Sequence, residues 1–323
     1  MRTLPARLPS ALLAAVLLLS LTACAPAGPE AKAADGRLQI TATVFPAYDF
    51  ARSCAGELAD VSLLLPPGME SHSYEPTPAD ILEVQSCDLF LCLGGESDAW
   101  VDTILSAVEP KGQILRMMDC VDLLEEADHE EHAHHGHDHD HEGLGQVVGM
   151  DEHVWTSPRN AAEITRAIGE QLAAADPANA EAYRANAAAY AGELEDLDRD
   201  FQDFFEGCAR PVLVFGDRFP LLYFADRYDL EYYAAFPGCA AQTEPSAATV
   251  AFLTELVEEE HLDTVWYIEF SNHLVADSIA EAAGAETAMF HTCHNVSRAE
   301  LEAGETYVTL MRGNLARLRE HLG

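Results

Sequence analysis

Basic residues are scarce in this sequence. Lysine and arginine together number 18, against 55 aspartates and glutamates, which gives a formal net charge of -37 at pH 7. A protein that binds nucleic acid needs a basic surface to neutralise phosphates. We therefore expect no nucleic-acid partner. The acidic excess fits either a protein that works among cations or one from an organism with an acidic proteome.

Several motifs of metal and phosphate chemistry are also missing. No CxxC pair occurs, which excludes a thiolate zinc-finger pattern, and there is no HExxH motif or Gly-rich phosphate loop. Beyond the first 24 residues, no run approaches the ~20 apolar residues that a membrane helix needs. These absences weaken an enzymatic interpretation and predict a chain without a membrane-spanning helix. Its 323 residues are enough for two domains of ordinary size.

The N-terminus has the pattern of an export signal. Two arginines precede an apolar run at 11–21, which ends in an LTAC tetrapeptide whose last residue is Cys24. This tetrapeptide resembles the lipobox of bacterial lipoproteins, in which the cysteine is lipidated and becomes the mature N-terminus. We expect 1–23 to be a lipoprotein signal peptide and 24–36 to be a flexible tether. The mature protein is then lipid-anchored at the extracytoplasmic face of the cell membrane.

Strand and helix patterns alternate in the first half of the chain, at 37–176. Leu38–Val44 alternates as a strand, and Asp88–Leu93 reads as a buried strand closed by two glycines. Between them, Thr77 and Pro78 form the N-cap and first turn of a helix. Alternating strands and helices predict an α/β lobe built on a parallel sheet.

A long helix is predicted to follow, at 177–207. The stretch is rich in Ala, Glu and Leu, and apolar residues recur at three- and four-residue spacing. Its length suits a strut that joins two lobes. Strand signals resume at Pro211–Phe215, and 208–323 is predicted to be a second α/β lobe. The predicted architecture is thus two parallel-sheet (βα)4-like lobes joined by one long rigid helix.

A His-rich acidic segment interrupts the first lobe at 128–142, where the sequence reads DHEEHAHHGHDHDHE. Imidazole suits zinc, copper and nickel, so the segment is interpreted as a labile metal-binding loop without fixed geometry. Sensing of metal saturation and solvated low-complexity sequence are the other interpretations. The histidines concerned are His129, His132, His134, His135, His137, His139 and His141.

Four segments bring imidazole or carboxylate groups to the carboxyl ends of predicted strands. That edge is where ligands bind in open α/β sheets. Two segments lie in each half of the chain, so a cleft between the lobes can gather one ligand from each. They are 68–76 with His72, 150–155 with His153, 215–220 with Asp217, and 290–294 with His291 and His294.

These segments resemble the zinc/manganese cluster, cluster A-I, of ABC-transporter solute-binding proteins. SHSYEPTPAD at 71–80 and DEHVWTSPRN at 151–160 match the first two metal-histidine motifs of that family. A His-rich loop before the second motif and a long helix after it also match. The resemblance implies two α/β lobes with the metal in the cleft between them, with His72 and His153 as ligands. It also implies a membrane permease of an ABC importer as partner.

The second lobe departs from the family pattern. The third motif commonly offers a His followed by an Asp, and here Asp217 is its only ionised ligand type. The fourth commonly offers an Asp seven residues after a Gly-Ala pair begins, and here that position is His291. The resemblance therefore implies the set His72, His153, Asp217 and His291. Glu269 and His294 are the alternative ligands, while Asp217 could instead cap a helix or pair with Arg218, and His291 could be a supporting residue.

Three nitrogens and one oxygen favour Zn2+ over Mn2+, because harder oxygen ligands suit manganese. We expect a monomeric protein that captures zinc with high affinity outside the membrane for an ABC importer. A metal-binding adhesin or a periplasmic metal buffer would use the same site, and neither is excluded by the sequence. A metallohydrolase is the enzymatic alternative, but four protein ligands leave no open position for water.

Overall fold

Two four-stranded parallel sheets organise the chain. The computed structural model describes residues 36–71, 74–95, 98–126, 149–208, 211–238 and 245–322. In these residues the strand orders are β2-β1-β3-β4 in the first sheet and β6-β5-β7-β8 in the second. Each sheet has helices between its strands, so the predicted fold class of two α/β lobes is confirmed.

In the described residues, the first lobe carries β1 through β4, with one α-helix between each two successive strands. Its second helix begins with a capping box, in which the Thr77 hydroxyl accepts from Asp80 N and the Asp80 carboxylate accepts from Thr77 N. Because Pro78 occupies the first turn, no backbone donor is lost there. In chain order the elements are β1 Leu38–Ala42, α1 Phe45–Ala55, β2 Ala59–Leu63, α2 Pro78–Ser86, β3 Leu89–Cys92, α3 Ala99–Ala107 and β4 Gln113–Arg116.

Two long helices follow, α4 Pro158–Ala175 and α5 Ala180–Glu206. The second has 27 residues, which corresponds to about 40 Å at 1.5 Å per residue. A stripe of apolar side chains along α5 is buried, as its sequence spacing predicts. The stripe includes Leu194, Leu197, Phe201 and Phe205. A helix long enough to run from one lobe to the other is therefore present where the sequence predicts it.

The second lobe carries β5 through β8. Its first strand extends to Phe219, beyond the predicted end at Phe215, because the pairing with β6 shifts register between Phe215 and Arg218 and then continues. Gly216 lies in this irregular part, and a Cβ there would come within 2.3 Å of Ala276 Cα. Close packing of β5 on the helix of Ala276 therefore requires glycine. In chain order the elements are β5 Val212–Phe219, α6 Leu222–Arg227, β6 Glu231–Pro237, α7 Ala247–Glu259, β7 Thr264–Ile268, α8 Leu274–Ala283, β8 Glu286–Phe290, α9 Arg298–Ala303 and α10 Tyr307–His321.

A buried carboxylate ties three helices together behind the first sheet. Asp49 on α1 accepts from Tyr190 Oη on α5 at 2.5 Å and from Tyr307 N on α10 at 2.9 Å. Arg52, one turn along α1, pairs with the other carboxylate oxygen at 3.0 Å. Burial raises the pKa of Asp49, and these three donors act in the opposite direction. The last helix of the second lobe is thus anchored on the first lobe.

Some sequence predictions fall outside the described residues. These are the lipid-anchor cysteine Cys24, the signal and tether at 1–35, the histidine His72, and the labile metal loop from 128 to 142 with all seven of its histidines. Within the described ranges, none of the helices combines the length and apolar character needed to cross a membrane.

Candidate functional site

A cavity of about 180 Å³ lies between the two lobes. The first lobe contributes the segment that precedes His72, together with His153. The second lobe contributes residues at or just beyond the carboxyl ends of its four strands, which is the edge that the sequence predicts. The cavity is lined by Gly68, Met69, Glu70, Ser71, His153, Arg218, Pro220, Gly238, Ile268, Glu269, Phe270, Thr292, His294 and Asn295.

His153 is buried at the first-lobe side of the cavity, with 1% of its surface exposed. Its Nδ1 lies 3.1 Å from Asp151 Oδ1, which also accepts from His153 N at 2.8 Å. Burial disfavours the charged imidazolium, but the nearby Asp151 carboxylate outweighs this effect and raises the pKa of His153. A carboxylate that accepts from Nδ1–H orients the ring and leaves Nε2 for a metal ion.

His294 faces His153 from the second lobe. The two ring centroids are 5.7 Å apart in an edge arrangement, and Trp155 packs against the His294 ring at 5.0 Å. Nε2 of His294 lies 2.8 Å from the hydroxyl oxygen of Ser71. Imidazoles from both lobes therefore meet in one cavity.

Glu269 follows the last residue of β7 and brings a carboxylate to the same cavity. Thr292 holds both of its oxygens: the Thr292 hydroxyl donates to Oε1 at 2.6 Å, and Thr292 N donates to Oε2 at 2.7 Å. Only 8% of the Glu269 surface is exposed. The two Thr292 donors fix the orientation of the Glu269 carboxylate at the cavity wall, as supporting hydrogen bonds do for metal-binding carboxylates.

Asp217 and His291 are buried near the cavity but are not among the residues that line it. Asp217 lies within β5 rather than at a helix N-terminus, and its carboxylate accepts from Arg218 N at 2.8 Å and from Ile268 N at 3.3 Å. The His291 ring accepts from Cys293 N at 3.0 Å through Nδ1, and its Nε2 lies 3.7 Å from Glu300 Oε1. Asp217 is thus bonded to the backbone of two cavity-lining residues, whereas Cys293 and Glu300 beside His291 are not among the lining residues.

The carboxylates of Glu269 and Glu300 govern the charge of His291. Burial disfavours the protonated ring, but the charge of Glu269 and then the contact with Glu300 outweigh it and raise the pKa of His291. In return, the His291 contact, together with Ser297, lowers the pKa of Glu300 to about 2. His291 is therefore electrostatically linked to Glu269, which lines the cavity.

The described residues alone do not form a complete metal site. Among them, no three His, Cys, Asp or Glu side chains are grouped closely enough to hold a metal ion. His72, the first ligand expected from the sequence, lies outside the described residues, although Gly68, Met69, Glu70 and Ser71 just before it line the cavity.

Sequence reasoning missed a charged pair at the cavity. Arg218 of β5 donates to Glu70 of the first lobe, with Nη2–Oε2 at 3.0 Å and Nη1–Oε1 at 3.3 Å. Burial disfavours the charged guanidinium, but the Glu70 contact, followed by the charges of Asp217 and Glu269, raises the pKa of Arg218. No local sequence signal links residues 70 and 218, which only the packing of the two lobes brings together.

Hydrogen bonds also join the lobes around the cavity. Trp155 Nε1 donates to the carbonyl of Thr292 at 2.9 Å. The Asn295 carboxamide donates to the carbonyls of Pro66 and Met69 at 2.8 and 2.9 Å. The segment that leads to His72 is thus fastened to the segment that carries His294.

The fold and this cavity are those of a two-lobed α/β solute-binding protein, the class that the sequence resemblance implies. The model of the zinc-uptake complex component A, periplasmic (ZnuA) family matches residues 40–321. The chain belongs to this family.

Individual relatives agree with this assignment. The chain is 31% identical over 292 residues to the high-affinity zinc uptake system protein ZnuA of Bacillus subtilis, covering 88% of each protein. It is 30% identical over 318 residues to the zinc-binding lipoprotein AdcA of Streptococcus pneumoniae. That alignment covers 96% of this chain but spans only 60% of the streptococcal protein.

Solved structures show the same fold. The Zn(II)-bound ZnuA-like domain of Streptococcus pneumoniae AdcA superposes with a TM-score of 0.72 at 27% identity, covering 89% of this chain and 99% of that domain. The metal-dependent lipoprotein YcdH of Bacillus subtilis superposes with a TM-score of 0.73 at 27% identity, covering 89% of this chain and all of the other.

Proposed function

We propose that this protein captures Zn2+ outside the cytoplasmic membrane and delivers it to the permease of an ABC importer. The observation that carries the proposal is the meeting of His153 and His294 from opposite lobes, beside the Glu269 carboxylate, in one buried cavity. Two imidazoles and a carboxylate are donor types that zinc prefers. The names of the relatives, which include zinc-binding and zinc-uptake proteins, support zinc as the cargo.

The ligand set that we propose is His72, His153, Glu269 and His294. It keeps the three nitrogens and one oxygen expected from the sequence, and it replaces Asp217 and His291 with the two alternatives that line the cavity. Asp217 and His291 then act behind the wall, where their hydrogen bonds shape the strand ends of β5 and β8. Asp217 and His291 as the third and fourth zinc ligands remain the competing assignment.

Four protein ligands would close the coordination shell of zinc, which favours binding and release over catalysis. We propose that the protein works as a monomer and is held at the extracytoplasmic face of the membrane by lipid on Cys24. The name of the pneumococcal relative, a lipoprotein, supports this anchoring. We also propose that the histidines between 128 and 142 collect zinc in labile contacts.

The function is tested by metal analysis of protein purified without a His-affinity step, followed by competitive titration with a chromophoric zinc chelator. We expect one tightly bound zinc per chain and a clear preference for Zn2+ over Mn2+. A wild-type protein without a tight zinc site would overturn the proposed function.

The ligand set is tested by two matched pairs of variants. We expect Glu269→Gln and His294→Ala each to lower zinc affinity by about 100-fold or more, because each removes a direct ligand. Asp217→Asn and His291→Ala should each cost less affinity than either ligand variant, about 10- to 100-fold at most, as mutations of supporting residues do. The reverse order of effects would restore Asp217 and His291 as ligands and leave the transport function standing.

A further inference from the structure

The cavity proposed to hold a divalent cation also contains a fixed positive charge. Arg218 lines its wall together with Glu269, and only 26% of the Arg218 side chain is exposed. Guanidinium stays protonated under all ordinary conditions, so Arg218 cannot lose its charge when a metal ion arrives. Charges of the same sign in a partly buried cavity repel each other much more strongly than they do in water.

The charge of Arg218 is partly neutralised from the opposite lobe. Both terminal nitrogens of its guanidinium face the two oxygens of Glu70, at 3.0 and 3.3 Å. Such a two-point contact fixes the orientation of the guanidinium as well as its position. Glu70 is two residues before His72, so the pair connects the proposed metal-ligand segment with β5.

We propose that Arg218 is a built-in electrostatic competitor of the bound metal ion, and that Glu70 limits its strength. The inference rests on the proposed function. Arg218 balances the cavity carboxylate Glu269 when no metal is bound, and it repels the divalent ion when one enters. The Arg218–Glu70 pair thereby keeps zinc affinity below the value that the four ligands alone would give. This favours release of the ion to a permease.

The competing explanation of the Arg218–Glu70 contact is a structural clasp between the lobes. It predicts the opposite change in zinc affinity when Arg218 is removed. As a clasp, the pair would close the cavity over the metal, so loss of either partner would weaken binding and speed dissociation. As a competitor, Arg218 weakens binding by its charge. Its removal then tightens binding, whereas removal of Glu70 exposes the full charge of Arg218 and weakens binding.

The experiment measures zinc affinity by chelator competition and zinc dissociation by stopped flow with excess chelator. We expect Arg218→Gln to bind zinc about tenfold more tightly and release it more slowly, from the Coulomb energy of charges several ångströms apart. Glu70→Gln should bind at least about threefold more weakly, and the double variant should fall between the two. Arg218→Lys keeps the charge and should stay within about threefold of wild type, although its two-point contact is lost.

Arg184→Gln is the matched control. It removes the same charge from an exposed ion pair with Glu170, on the α4–α5 helices, and should leave zinc affinity unchanged. Thermal unfolding of every variant verifies that the fold is retained. Zinc binding that is unchanged or weakened in Arg218→Gln overturns this inference alone, while a wild-type protein that binds no zinc overturns the proposed function as well.

Discussion

Ser71 of the first lobe and His294 of the second lobe are joined by a hydrogen bond of 2.8 Å between Ser71 Oγ and His294 Nε2. An imidazole that binds a metal through one nitrogen commonly donates a hydrogen bond through the other. In the proposed site, Ser71 would accept from Nε2–H, and zinc would bind Nδ1 of His294. The residue next to His72 in the chain would thus orient a proposed ligand in the opposite lobe.

Ser71→Ala should lower zinc affinity by about tenfold, because the His294 ring loses the partner that fixes its orientation and tautomer. Ser71→Thr keeps the hydroxyl and serves as the control, with affinity expected close to wild type. Competitive zinc titration of the two variants measures the difference. Equal affinities in Ser71→Ala and wild type would show that this contact does not orient a ligand.

Asp98 predicts a pH dependence of stability. Burial raises the pKa of Asp98 to about 7, although Leu93 N and Gly94 N donate to the carboxylate. A carboxyl group with a raised pKa in the folded state binds its proton more tightly there than in the unfolded chain. Its contribution to stability is therefore greatest at low pH and is lost as pH rises from about 4 to about 7, with a slope of about 1.4 kcal/mol per pH unit.

Asp98→Asn should remove this component, since the amide is uncharged at every pH and its oxygen can accept from the same two donors. Chemical denaturation at pH 5, 6, 7 and 8 measures the free energy of unfolding of both proteins. We expect the variant to gain stability relative to wild type as pH rises toward 7. Parallel curves for the two proteins would contradict the raised pKa.

Deletion of residues 128–142 tests the labile metal loop. We expect the truncated protein to keep one tight zinc site and to lose only weak additional equivalents, because a loop without fixed geometry cannot hold zinc as tightly as a buried ligand set. Calorimetric titration separates the two classes of site. Loss of the tight site would mean that the loop supplies one of its ligands.

Cys24→Ala tests the lipid anchor. Without a cysteine to carry the lipid, we expect the protein to move from the membrane fraction to the soluble fraction. Immunoblotting of fractionated cells detects the shift. A variant that still sediments with membranes would contradict lipidation at this residue.

The architecture could be predicted from the sequence because its signals are local and repeated. Alternation from Leu38 onward and the cap at Thr77 are visible in short windows and correspond to β1 and α2 of the structure. The apolar stripe of α5 extends over several turns, so small errors in spacing do not hide it. The two-lobed class followed from these elements together with the family resemblance.

The identity of the cavity-lining residues in the second lobe could not be predicted in the same way. Counting seven residues from Gly284 selects His291, but the chain adopts a left-handed conformation at Cys293, with φ of 61°. The regular alternation of side chains along a strand does not continue through such a turn. The turn comes just before His294, which is the histidine of this segment that lines the cavity. Similarly, the register shift in β5 keeps Asp217 inside the strand, where its carboxylate bonds to Ile268 N.

The carboxamide of Asn295 bonds to the carbonyls of both Pro66 and Met69, and Trp155 bonds to the carbonyl of Thr292 across the same boundary. Pulling the lobes apart as rigid bodies would break these hydrogen bonds and expose the groups to water, at a net cost of about 0.5–1.5 kcal/mol for each bond. While these bonds hold the lobes together, we expect ion entry and exit to use rotations of individual side chains and displacements of short segments at the cavity mouth. In the proposed function, a permease that collects the ion would need to displace only those few groups, and the distance between the two sheets would stay the same in the loaded and unloaded protein.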